Sequence, residues 1–519
     1  MVPPVIDRAR RALDRPIQLL RSLGRWSAAH RYLLLSFIFP LAIRTIPEIL
    51  AGPWPLGFDT VWIYAPFVKD VETKGFVPSV QGVLNVQAAP LVYALLGLIA
   101  VATNGAPFAI TKAAAPILYG FLGLSLYVFS RRGLGWDREK AVLLVGVSTL
   151  YFVPLRFSWD MYKNTLGLGF FLLALSEIGR TSGSRGKASL FAFSILSILA
   201  SELTTALLAG TALLLLAWTK VADRRWDFGC AAVAAFAVVA LLFYGHVIVH
   251  PVPAASPLAP FPAQTGFLYN YVTSNEDVYV YPTLLDLYAS VGALAGLLFA
   301  PILPLAIFGR FWEKRLVTIC IVLGVAFGSV LVSPFVAIPA WHRWLYMLVF
   351  PGLIFATTGI LRLNRSARAV VLAALVLLGA TFVAMPDDLA LPYYTFSETI
   401  RYVPPNLMRN TVGLQDSPDV VAVAGWVNGQ HFPNAVMIAD IWFNGWARLY
   451  VDTMPVYGFI DPVQVDHGNF SGYDHVFMIY WAAGLGGYQA GRLPSGSVQV
   501  LSIGRIGLYE IPRGPSPGP

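Results

Sequence analysis

Charge is scarce in this chain. Charged residues make up 12% of its 519 positions, about half the share expected of a soluble globular protein. Cysteine is scarcer still: Cys230 and Cys320 both fall inside apolar runs, so no disulfide framework supports the fold. Lysine is missing altogether beyond residue 386, and the stretch 250–288 contains neither lysine nor arginine. No internal repeat is visible. What the chain does contain is hydrophobic residues, 57% of the total, in long runs that recur from Tyr32 to Met385. Runs of that length exclude a soluble enzyme and specify a polytopic α-helical membrane protein. The net charge of +8 invites a nucleic-acid reading, but the basic residues collect in short loops between apolar runs. That distribution is a topology signal, and no nucleic-acid partner is expected.

The loops give an orientation. Residues 1–31 are arginine-rich (Arg8, Arg10, Arg11, Arg15, Arg21, Arg25, Arg31) and lead into a span over 32–51, as in an uncleaved signal-anchor with its N-terminus in the cytoplasm. Arg44 and Glu48 interrupt the outer half of that span. Basic loops at 131–140, 180–187, 220–227, 309–315 and 361–368 are placed in the cytoplasm. The Asp59 segment and the loops 156–163, 250–288 and 334–343 then face outward. Counting both 88–103 and 113–130 as spans would reverse every later loop against its charge. The former is therefore read as a helix at the outer interface, short for a hydrocarbon core of ~30 Å. About eleven crossings result. Residues 188–219 must cross twice, turning at Ser201-Glu202-Leu203-Thr204, and short broken helices of that kind suit a protein-enclosed cavity. The membrane region thus occupies 32–385, in a plasma membrane, with the C-terminus outside.

From about Pro386 the character changes. Acids such as Asp416, Asp419, Asp440, Asp461, Asp466 and Asp474 outnumber arginines. Ser417-Pro418 opens a helix through Asn428. β-like runs follow at 435–439, 456–459, 475–481 and 498–510, the last a hairpin turning at Gly504-Arg505. Residues 386–512 read as a small external α/β domain, followed by a Gly/Pro-rich tail, 513–519, expected to be disordered.

Four outward segments carry polar side chains in otherwise apolar surroundings. The first is Leu56-Gly57-Phe58-Asp59-Thr60-Val61-Trp62-Ile63-Tyr64. The second runs from Arg156 through Asp160 to Lys163 and Asn164. The third is Thr273-Ser274-Asn275-Glu276-Asp277, and the fourth Trp341-His342-Arg343-Trp344. Acids and a fixed arginine at one membrane face suit a reaction on a lipid-linked phosphate. The arginine would neutralise a phosphate leaving group. A carboxylate would activate an acceptor or hold a divalent metal.

This arrangement resembles the GT-C superfamily of membrane glycosyltransferases, and most closely the catalytic subunit of oligosaccharyltransferases. Phe58-Asp59-Thr60-Val61-Trp62-Ile63-Tyr64, followed by 68–75, is similar to that family's first external loop. Asp160 after Arg156 is similar to its second acidic motif, Ser274-Asn275-Glu276 to its flexible loop motif, and Arg343-Trp344-Leu345-Tyr346 to its phosphate-binding arginine. The order of the four along the chain matches, as does an external C-terminal α/β domain.

The resemblance implies Asp59, Asp160 and Glu276 as catalytic acids. Arg343, His342, Tyr64, Lys163 and Arg156 become substrate-binding residues. Asp59 and Asp160 become ligands of a Mg2+ or Mn2+ ion. Its donor would be a polyprenyl-phosphate or polyprenyl-diphosphate sugar, and its acceptor a protein or glycolipid. Two features depart from the family. Tyr162 stands where a second acid is usual, which leaves metal-independent action open, and Asp440-Ile441-Trp442-Phe443-Asn444-Gly445-Trp446 is a poor version of the acceptor-reading motif. Both departures favour a monosaccharide transferase with a hydroxyl or lipid acceptor.

Each residue also has a plainer reading. Asp59 and Asp160 could be helix caps, Glu276 a solvated acid, and Arg343 a snorkelling anchor. Glu202 is either a cavity residue or a turn cap. Asp466-His467 and Asp474-His475 read as surface pairs, Gly484-Leu485-Gly486-Gly487 as a loop, and Asn469-Phe470-Ser471 as a chance glycosylation triplet. A lipid-glycan transporter and a non-catalytic scaffold are the competing functions, since a fold alone does not guarantee an activity.

Overall fold

A computed structural model describes residues 30–178, 184–221, 228–244, 250, 251, 284–309, 336, 337, 341–384, 410–440, 442–458, 470, 472–482, 493, 494 and 496–512. The basic N-terminus, Glu276 with its loop, Asp466-His467, Gly484-Leu485-Gly486-Gly487, the Asn469-Phe470-Ser471 triplet as a whole and the tail 513–519 lie outside these residues.

The apolar runs form helices where their flanking charges delimit them. Helix α1 is Arg31–Leu50, and a π-helical turn, Thr60–Tyr64, follows Asp59. Helices α2 (Ala65–Lys74), α3 (Phe76–Asn85) and α4 (Leu91–Thr103) precede the long α5 (Pro107–Arg132). Next come α6 (Arg138–Leu150), α7 (Phe152–Asp160), α8 (Tyr162–Glu177), α9 (Ser184–Ala200), α10 (Glu202–Val221) and α11 (Phe228–Phe243). Helices α12 (Leu284–Phe299), α13 (Leu303–Phe308), α14 (Trp341–Arg362) and α15 (Arg365–Ala384) follow among the described residues of the apolar part.

Among the described residues four helices are long and apolar enough to cross a membrane: α1, α5, α14 from Arg343 onward, and α15. A fifth arises if α6 and α7, bent by 67° at Tyr151, form one broken span. Helix α5 lies against α1 because Gly120 and Gly123 let the backbones approach; a Cβ on Gly123 would stand 2.5 Å from the Ser36 carbonyl oxygen. Between α14 and α15, Arg368 donates to the carbonyls of Ile360, Leu361 and Leu363, which satisfies acceptors at the end of α14 and in the tight turn.

Two expectations change. Residues 156–163 are not a solvated loop: they lie in α7 and the first turn of α8, and every residue from Phe152 to Tyr162 is buried. Burial is possible because the polar side chains in this stretch have partners inside the bundle. Asp59 and Asp160 do not cap helices either. Asp59 already has helical dihedrals and makes no cap bond, and Asp160 lies at the C-terminal end of α7. The helix break expected near Ser201 does occur, between Ala200 and Glu202.

The C-terminal unit holds helix α16 (Ser417–Gln430), helix α17 (Asn444–Tyr450) and five strands. These are β1 (Ala435–Ala439), β2 (Val456–Gly458), β3 (His475–Trp481), β4 (Val498–Ile503) and β5 (Ile506–Glu510), in the order β2-β1-β3-β5-β4. The pairs β1–β2 and β1–β3 are parallel, and β3–β5 and β4–β5 antiparallel. β1 is buried along its whole length and β3 beyond its first residue, which explains their unbroken apolar sequences.

The unit is not an appendage. Its core includes Phe58 and Val61 from the segment around Asp59. Gly445 sits against the Val61 carbonyl, and a side chain there would collide with it. Lys69 pairs with Asp452 at 3.1 Å and Arg448 with Asp70 at 2.7 Å. The Asp59 segment therefore lies between the helix bundle and the C-terminal unit.

The close approach of α1 and α5 gives a stability prediction. Gly123→Val places methyl groups into the Ser36 carbonyl and Pro40, and should destabilise by about 1–3 kcal/mol. The fraction of monodisperse protein surviving a temperature ramp, followed by size-exclusion chromatography, measures it.

Candidate active site

Asp59 sits in a segment whose backbone is fixed from several sides. Gly57 adopts φ +92°, a left-handed conformation, and a Cβ there would stand 2.5 Å from that of Asp160. The Gly57 N–H donates to Asn410 Oδ1 at 2.6 Å, and the Phe58 N–H to Asp160 Oδ2 at 2.8 Å. Thr60 Oγ1 donates either to the Trp159 carbonyl at 3.1 Å or to the Tyr162 hydroxyl at 3.3 Å. These bonds hold Asp59 beside α14, where its Oδ2 accepts from Arg343 Nη2 at 2.8 Å.

The two residues, 284 positions apart in sequence, differ in access. The Asp59 side chain is 5% exposed and that of Arg343 23%, so Arg343 is the more exposed member.

Two further ion pairs surround this one. Arg156 and Asp160, one helical turn apart on α7, form a bidentate pair at 2.6 and 3.1 Å, both fully buried. Lys163 Nζ donates to Glu202 Oε1 at 2.9 Å, and the other bond to that oxygen comes from the Ala89 N–H at 2.7 Å. Tyr64 stacks on Tyr162 with ring centroids 4.6 Å apart, and its hydroxyl accepts from the Lys163 N–H. The site is therefore three acid–base pairs contributed by the Asp59 segment, α7, α8, α10 and α14.

Asp59 lies just outside the membrane-spanning helices. Burial raises its carboxyl above the ordinary carboxylate range against the pull of Arg343, and the charge of Asp160 acts in the same direction as burial. Lys163 and Arg156 pull it down more weakly.

The donor set fits a divalent metal poorly. Both oxygens of Asp160 face Arg156, and Oδ2 also takes the Phe58 N–H. Among the described residues no three His, Cys, Asp or Glu side chains converge as a metal would need.

Of the residues singled out from the sequence, Asp59, Asp160, Arg343, Tyr64, Lys163 and Arg156 come together here. Glu276 lies outside the described residues, and His342 is on the first turn of α14. Arg156 faces Asp160 inside the bundle, a position for holding a carboxylate. Glu202 belongs to the cluster although it was only one of two readings of a turn; its signal was an acid at a break between apolar helices. Asn410, and Tyr93, whose ring centroid lies 5.7 Å from that of Tyr64, were not singled out from the sequence. Tyr162, noted only as a missing acid, turns out to be the hydrogen-bonding neighbour of Thr60.

No family model matches the chain, and no curated protein matches it either. Among solved structures the chain is similar to ArnT from Cupriavidus metallidurans bound to undecaprenyl phosphate, at 12% identity and a TM-score of 0.46, over 93% of this chain and 98% of that one.

The burial of the pairs separates their energetic roles. Arg156→Met leaves the Asp160 carboxylate buried without its counter-charge and should cost about 3–5 kcal/mol. Arg343→Met, at a partly exposed pair, should lower the unfolding temperature far less. Thermal unfolding of the two variants in the same detergent compares them, and equal losses would contradict the assignment.

Proposed function

We propose that this chain is a GT-C-type membrane glycosyltransferase, transferring a sugar or glycan with inversion from a polyprenyl-phosphate or polyprenyl-diphosphate donor. The observation that carries the reading is the Asp59–Arg343 pair: a buried acid and a more exposed arginine, at the end of an apolar helix, brought together across 284 positions of the chain. An anionic phosphate reaching Arg343 competes with Asp59 for the guanidinium. As the phosphate takes over those hydrogen bonds, the carboxylate of Asp59 is released towards the acceptor. It accepts the proton of an acceptor hydroxyl while the sugar–phosphate bond breaks, and the phosphate leaves on Arg343. Were the acceptor an asparagine amide, as in oligosaccharyltransferases, Asp59 would orient it, since a carboxylate is too weak a base to deprotonate an amide. Lys163 and Tyr64 line the same cluster as donor-binding groups, and Asp160 assists through the backbone it holds.

A hydroxyl or lipid acceptor and metal-independent transfer are favoured over the oligosaccharyltransferase version, because the oxygens of Asp160 are committed to Arg156 and the Phe58 N–H. In this reading the N-terminus is cytoplasmic and the C-terminal unit, external to a plasma membrane, helps to bind the acceptor.

Purified protein given a labelled polyprenyl-phosphate sugar and candidate acceptors should form product that survives a chelator. Asp59→Asn should lower kcat by about 10²–10⁴-fold. Full turnover in that variant would sink the mechanism. Arg343→Met should chiefly raise KM for the lipid donor. The pH profile follows from the raised carboxyl of Asp59: the active, ionised form is lost as pH falls, so the acid limb should lie above pH 3.8, the ordinary aspartate value. Asp59→Asn should abolish that limb.

A further inference from the structure

Helix α1 ends just before the Asp59 segment, and its last carbonyls need partners. The Pro47 oxygen takes the Ala51 N–H at 2.9 Å and the Ile49 oxygen the Gly52 N–H at 3.1 Å. Among the described residues the Glu48 oxygen has no such backbone donor, and it is met instead by Lys112 Nζ, from α5, at 2.7 Å. The same ammonium donates to the Trp54 carbonyl at 2.8 Å and lies 3.2 Å from Glu48 Oε2. Its two hydrogen bonds therefore go to backbone oxygens on either side of the turn that leaves α1, while its charge lies beside the Glu48 carboxylate. Glu48 is shared with Arg44, which is fully buried and donates to Oε1 at 2.6 Å.

One carboxylate between two cations leaves net positive charge in an apolar bundle, and a neutral contact would be cheaper if packing were its only purpose. What distinguishes Lys112 is where its protons go. Phe108, one helical turn earlier on the same face of α5, packs edge-on against the Trp54 ring, and Trp446 of the C-terminal unit packs against that ring as well. Trp54 is thus held by its carbonyl and by its ring. Beyond it, Leu56 is fully buried and Gly57 is bonded to Asn410, so the short stretch from Trp54 to Asp59 follows a packed path. On the far side of Asp59, the neighbouring Thr111 carbonyl accepts from the Tyr162 hydroxyl at 3.0 Å, and that hydroxyl is within reach of Thr60. Two consecutive residues of α5 therefore brace the chain before and after Asp59.

We propose that Lys112 is a positioning residue for Asp59: its ammonium locks the turn after α1 to α5 and so sets where the carboxylate meets Arg343 and substrate. The consequence for turnover rests on the glycosyltransferase reading; the consequence for the backbone does not. Misplacing a reacting group by about 1 Å can cost on the order of 100-fold in rate. Lys112→Met should therefore lower kcat by about 10- to 100-fold with KM for the lipid donor unchanged, because Arg343 is untouched. Lys112→Arg, which restores charged donors, should recover most of the loss. In hydrogen exchange, the amides of Gly57 and Phe58 should lose protection in Lys112→Met relative to wild type. Should that variant not be recovered folded, Lys112→Gln, able to satisfy one of the two carbonyls, should give the same changes at reduced size.

Wild-type protein that transfers no sugar counts against the glycosyltransferase reading alone. Unchanged exchange at Gly57 and Phe58 overturns the positioning role whatever the reaction. In a wild type that does transfer, an unchanged kcat, or a loss expressed in KM and not recovered by arginine, overturns it too.

Discussion

The Arg156–Asp160 pair is the interaction on which the rest of the site depends. A carboxylate fully inside a helix bundle is expensive unless its charge is balanced and its lone pairs are used. Here the arginine one turn earlier supplies balance, and the Phe58 N–H uses the remaining valence of Oδ2. That single hydrogen bond ties the segment carrying Asp59 to α7. Gly57 permits the close approach, since any larger residue would strike Asp160. Remove Arg156 and a buried carboxylate is left unbalanced; remove Asp160 and the leading acid loses the bond that sets its register.

The same logic repeats around it. Lys163 with Glu202, and Arg343 with Asp59, give three acid–base pairs in which no described carboxylate of the cluster stands alone. Their exposure is graded, and the grade sorts their work. The innermost pair is structural, while Arg343 presents the most accessible of the three side-chain pairs' charges. An anion arriving at the membrane end of α14 would exchange for one partner without disturbing the other two. The C-terminal unit contributes from the opposite side, because Phe58 and Val61 belong to its core as well as to the Asp59 segment.

Much of this was legible in the sequence, but unevenly. The C-terminal strands 435–439 and 475–481 and the hairpin at Gly504-Arg505 could be placed from local pattern, because alternation, apolar runs and turn residues act over a few positions. Apolar runs bounded by arginines likewise announced α1, α5, α14 and α15. The segment 156–163 misled, since arginine, aspartate and lysine close together read as a solvated loop. Arg156 and Asp160 pair within one helical turn, but the Phe58 N–H on Asp160 and the Glu202 partner of Lys163 are groups that only folding brings near. Tyr162 misled in another way: as a missing acid it seemed a loss, whereas its hydroxyl takes part in holding Thr60.

The sequence by itself determined that the chain is built of apolar runs suited to a membrane, and that Asp59 and Arg343 are costly residues in need of a purpose. These follow from transfer energies and local periodicity, which each segment carries within itself. Tertiary structure alone decided that Asp59 faces Arg343 rather than capping a helix, that Asp160 is committed to Arg156, and that Glu202 and Lys112 are part of the same construction. The reason is physical: the worth of a buried charge is set by its counter-charge and its hydrogen bonds, and apart from Arg156, one turn before Asp160, those partners lie 39 to 284 positions away.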